Sequence, residues 1–203
     1  MAITAHGLTP SQISQLAQAL AVFPHHLKHP ELGPLHIDNA RQLCEHLSLW
    51  NLTKLRALRP GERLAALAQD SGALHHQIRH GDQPYQWAWS EPNASGDGRR
   101  VLGVFTGDLS SSVHRGLRWI DSSVPTQDDE QVRLLCVPSL RIHALWIAGE
   151  SQDQLALIHN ARAPLRAPTK FEIEPSSKFM LMLKKMAANL KPWPFEGEPL
   201  AQS

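Results

Sequence analysis

Apolar positions recur at two different spacings along the chain, and the change between them divides it. Over the first eighty residues the intervals are three and four. Ile13, Leu16, Leu20 and Phe23 follow Thr9-Pro10-Ser11-Gln12, a helix start in which Thr9 caps, Pro10 fits the first turn and Gln12 completes a capping box. Pro24 ends that run, and residues 24–36 read as a loop. Asp38 caps a second expected helix with Ala40, Leu43, Cys44 and Leu47 inward. Asn51 caps a third with Leu52, Leu55 and Leu58, broken at Pro60-Gly61. A fourth carries Leu64, Leu67 and Ala68, and Ser71 opens a short fifth through Leu74 and Ile78. Residues 1–82 therefore predict a subdomain of short helices.

After Gly81 the spacing becomes two. Tyr85, Trp87 and Trp89 alternate with Gln86, Ala88 and Ser90, and Val101 to Phe105 resumes a strand after the turn-rich stretch Asn93 to Gly98. A helix follows, capped by Asp108 or Ser110, with Val113, Leu117 and Ile120 on one face. Strands are expected at Val132 to Val137, at Leu140 to Trp146 and at Leu155 to His159, with short connections that suit an antiparallel meander. Residues 161–175 read as an extended connection, and Ser176 or Ser177 starts a last helix. Phe179, Met182, Leu183, Met186 and Leu190 share one side of it, and Lys178, Lys184, Lys185 and Lys191 the other. The sum is an α+β fold: N-terminal helices, then an antiparallel sheet with one intervening helix and a C-terminal helix. Residues 83–203 form the second subdomain of this reading, unless the chain is one continuous domain.

Composition narrows the class. A chain of 203 residues that is 42% hydrophobic can bury a substantial core. The net charge of +1 argues against a dedicated nucleic-acid binder. Residues 161–203 hold seven basic and four acidic residues, a local surplus that suits an acidic partner. Two distant cysteines, Cys44 and Cys136, set in apolar surroundings predict buried thiols and a reducing compartment. With neither a signal-like N-terminus nor an apolar run near ~20 residues, no membrane span is expected and a soluble, cytoplasmic protein is.

Twelve histidines are the most unusual feature, in two clusters: His25, His26 and His29, and His75, His76 and His80. On a helix, His76 and His80 would lie on one face, four apart, and could hold a divalent metal with a third ligand from Asp82 or the first cluster. The plainer reading is exposed polar residues. Arg141 and His143 share one face of an expected strand and could bind an anion or act as acid and base. The plainer reading is a strand's solvent face. Tyr85, Trp87 and Trp89 are a stacking platform or, more simply, a core face. Met180 and Leu181 fall on the lysine side of the last helix and hint at a second buried contact; with Trp193 and Phe195 they are candidates for engaging a partner.

Two functions follow. The first is a non-catalytic protein-interaction or accessory protein, with a protein partner and room for a homo-oligomer. The alternative is a hydrolase or transferase with a His/Arg site, possible metal dependence included.

Overall fold

Thr9 does cap the first helix. Its hydroxyl accepts from the Gln12 amide at 3.3 Å, the Gln12 side chain accepts from the Thr9 amide at 3.0 Å, and Pro10 opens the helix. This helix, α1 (Pro10–Val22), buries Leu16 and Leu20 completely. The computed structural model describes residues 7–23, 41–81, 83–96, 98–125, 130–150, 152–163, 168 and 170–189. The expected 24–36 loop, the Asp38 cap, His25, His26, His29, Asp82, Trp193 and Phe195 lie outside the described residues.

Two of the expected helices are strands. β1 (Arg41–Asn51) and β2 (Gln69–His80) pair antiparallel along most of their length. The leucine spacing that suggested helices also fits strands, because Leu47 and Leu49 point to one side while His46, Ser48 and Trp50 point to the other. Long-range pairing decided between them. In β2, Ala73 to Ile78 are all buried, since both sheet faces are covered, so no polar alternation marks the strand. The third expected helix has no regular structure beyond β1, and the fourth is a single 3-10 turn at Leu64–Ala66.

The later elements match expectation more closely, except that the expected connection over 161–175 ends in a short strand, Ile173–Pro175. They are β3 (Gln83–Pro92), β4 (Arg99–Phe105), α2 (Asp108–Ser123), β5 (Gln131–Val137), β6 (Ile142–Ala148), β7 (Asp153–Asn160), β8 (Ile173–Pro175) and α3 (Ser176–Ala188). Neither Asp108 nor Ser110 caps α2. The cap is Gly107, at φ +126°, a backbone conformation that favours glycine, and Asp108 sits in the first turn where a carboxylate suits the helix dipole.

The chain is α+β, with one eight-stranded sheet in the order β4-β3-β2-β1-β5-β6-β7-β8. It is mixed rather than purely antiparallel, because β1 and β5 run parallel at its centre through Leu49–Asn51 and Leu134–Cys136. The expected boundary at residue 82 falls between β2 and β3, which pair with each other. Each half of the sheet is a four-stranded meander followed by a helix. Leu134, Leu145 and Ile158 pack with Leu109, Val113 and Ile120 of α2. Their sequence neighbours Leu135, Ala144 and Leu157 pack with Phe179, Met180 and Leu183 of α3. By strand alternation, α2 and α3 therefore cover opposite faces. α1 joins Ile78 and Ala88, on the side away from Trp87, which places it on the α3 face.

Candidate anion-binding cleft

The site begins with one arginine in an apolar strand. In β5, Val132, Leu134 and Cys136 face α2, which turns Arg133 and Leu135 to the other side. Arg133 is paired in register with Trp146 of β6. Trp50, from the last residues of β1, meets Trp146 edge-on with ring centroids 5.2 Å apart and an interplanar angle of 80°. The Arg133 guanidinium carbon lies 4.7 Å from the Trp50 ring and 4.8 Å from the Trp146 ring, so the cation nests in an indole corner. Among the described residues it makes these ring contacts and has no hydrogen bond or ion pair. Burial pulls its pKa down, with Asp153 and Asp70 opposing. A guanidinium starts so far above neutrality that it stays charged.

A cleft of about 410 Å³ opens beside it, lined by Arg63, Gln131, Arg133, Trp146, Glu150 and Asp153 among others. Its other arginine is tied to the wall by four hydrogen bonds. Arg63 donates to Asp153 at 3.0 and 2.7 Å and to the carbonyls of Gly149 and Glu150. Asp153 is buried and also accepts from the Leu64 amide at 2.8 Å and from Trp146 Nε1 at 3.0 Å. Burial pushes the Asp153 carboxyl up, but the bonds from Arg63, Leu64 and Trp146 outweigh it and hold it below its ordinary value. Asp153 thus locks the 3-10 turn, the β6–β7 turn and one indole into a rigid wall. Gln131, exposed two residues before Arg133 and so on the same side of β5, adds an amide with no partner among the described residues.

The residues singled out from sequence fall elsewhere. His76 and His80 stand on β2, where four residues span about 13 Å. His76 is buried, with Nδ1 3.0 Å from His46 Nδ1 and Nε2 2.6 Å from Ser90 Oγ, while His80 is exposed at the strand's end. Among the described residues no group of three or more His, Cys, Asp and Glu side chains is arranged to hold a metal. Arg141 is exposed in the turn before β6, at φ +54°. His143 sits on the α2 side of β6 with its ring 5.8 Å from that of His159, so strand periodicity does not join it to Arg141. Burial pushes His143 down to about 4, and His75 down to about 3. Burial pushes the Cys44 thiol up to about 12 and the Cys136 thiol up to about 11, so neither forms a thiolate at neutral pH. Met180 is buried in the core at 1% exposure, so its second contact is within the chain; Leu181 is 54% exposed. Trp87 stacks on His75 and Phe105, which makes it core rather than a platform.

Arg133 was missed, yet a signal existed. It is the one charged residue between Val132 and Val137, and any hairpin that pairs Val137 with Ile142 sets it opposite Trp146.

Compared with family models, with curated proteins and with solved structures, the chain matches none.

Proposed function

We propose that the protein is a non-catalytic interaction or accessory protein, and that the Arg133 cleft receives an anionic group of what it binds. One observation carries this reading: a half-buried guanidinium, oriented by two indole rings and free of any hydrogen bond or ion pair among the described residues, beside an open cleft. A cation taken partly out of water without a hydrogen-bond partner is costly, and a ligand anion offsets that cost. A guanidinium does not exchange protons near neutral pH, so what it offers is binding rather than acid–base chemistry. Leu181, exposed beside Lys178 and Lys185 on α3, offers a second contact surface of apolar and basic character.

The test is affinity capture with the intact chain and with Arg133→Gln side by side. A partner retained by the native protein and lost by the variant, at equal thermal stability, supports the reading. Identical sets of partners from both would reject the cleft as the recognition element.

A further inference from the structure

We infer that the Arg133 cleft is a carboxylate site, built for a planar monoanion in preference to phosphate. The inference rests on the anion-recognition reading above and names the chemistry. Three observations lead to it. First, one guanidinium is available, because Arg63 is held by Asp153 and by the carbonyls of Gly149 and Glu150. Second, the surroundings are not a basic basin. Asp70 and Asp153 are near enough to Arg133 to raise its proton affinity, and Glu150 lines the same cleft. A dianion would meet these carboxylates with one free cation to balance it, whereas a monoanion is matched by that cation. Third, the indole corner holds the guanidinium against two ring faces, which limits the directions its N–H fork can take. A planar carboxylate accepts such a fork with two parallel hydrogen bonds. The Gln131 amide on the same side of β5 supplies a further donor. The aliphatic wall of Ala65 and Ala148 suits the carbon next to the carboxyl group.

The same carboxylate could arrive on a small organic acid or on a peptide, as a chain terminus or an acidic side chain. The experiment separates these sources. Indole N–H resonances of Trp50 and Trp146 are followed by NMR in the full chain while acetate, a short peptide with a free C-terminus, its amidated form and inorganic phosphate are added in turn. The expected result is that acetate and the free-acid peptide shift both indoles, that amidation abolishes the peptide's effect, and that phosphate binds at least about tenfold more weakly. A free-acid peptide far tighter than acetate would identify a peptide source, and equal affinities a site that reads the bare carboxylate; both support the inference. Arg133→Gln should abolish the shifts, and Arg133→Lys, which keeps the charge without the fork, should weaken them about tenfold or more. Should the glutamine variant fail to fold, the lysine variant and Gln131→Ala, expected to cost a few-fold, carry the test. Phosphate binding as tightly as acetate would overturn the carboxylate assignment while leaving anion recognition standing. Indoles that no probe moves would overturn both.

Discussion

The two halves of the sheet solve the same burial problem with different chemistry. β1–β4 bury His46, His75, His76, Gln77, Gln86 and Ser90, and hydrogen bonds join His46 to His76, His76 to Ser90 and Gln77 to α2. Ser110 donates to Gln77 Oε1 at 2.7 Å and Gln77 Nε2 donates to the Ser110 carbonyl at 3.2 Å, so one amide fastens the first turn of α2. Arg99 is wired into this half, donating to Ser90 Oγ at 2.8 Å and to the carbonyls of Ser90 and Gly72. β5–β8 are filled mainly by leucine, isoleucine, valine, alanine and Trp146, with Asp153 and His159 buried beside them, and their arginine, Arg133, is left without such bonds. An arginine that the fold consumes is structural, and one that it orients but does not satisfy is available to a ligand. That contrast is the reason to place recognition in the second half.

The largest test of the contrast is Trp146→Ala. It empties the apolar half, removes the Nε1 donor to Asp153 and takes away one wall of the Arg133 corner. Chemical denaturation should show a loss of about 4 kcal/mol. A loss below about 1 kcal/mol would mean that this half is not the packed core described.

Acid should act on the buried imidazoles. His75, at about 3, and His143, at about 4, remain neutral when folded but take up a proton near 6.5 when unfolded. Above pH 6.5 both states are neutral and nothing is gained or lost. Below it the unfolded chain binds more protons, so stability falls with falling pH, by about 2 kcal/mol per group at pH 5. Melting curves from pH 8 to pH 5 should show this slope, and His75→Gln should reduce it by about half. A flat native profile would contradict the buried, neutral histidines.

Gly116 tests how closely α2 lies on the second half. A Cβ there would come within 2.8 Å of Leu145 Cδ1 and 2.9 Å of Ile158 Cγ2. Gly116→Leu should cost about 2 kcal/mol in denaturant unfolding. An unchanged midpoint would place the helix farther away.

The smallest effect is expected at the edge of the first half. Thr9→Ala removes the cap of α1 and should lower stability by about 1 kcal/mol, read as a shift in the urea midpoint.

How far the sequence could be read follows the same division. In β5–β7 aliphatic and aromatic side chains carry the strands, and each was legible from its run of apolar residues bounded by turns. In β1 and β2 the inward positions are shared with histidine, glutamine and serine, so the apolar residues that remain fall by chance at helical intervals. The cleft was less legible still. Arg133 is visible as a lone charge, but Trp50 reaches it from more than eighty residues earlier in the chain. Asp153 reads as a turn residue until Arg63 and the Leu64 amide arrive from another segment.

By itself, then, the sequence determined what local physics controls: the capped start of α1, the amphipathic faces of α2 and α3, the β3–β4 and β5–β6–β7 hairpins and the α+β class. Only the tertiary structure decided that Arg41–Asn51 and Gln69–His80 are strands, that β1 and β5 meet in parallel, and that one arginine of the cleft is spent while the other is free. Periodicity records which side of an element is buried. It does not record which distant residue completes a hydrogen bond or an ion pair, and in this molecule that pairing is what separates a structural arginine from a binding one.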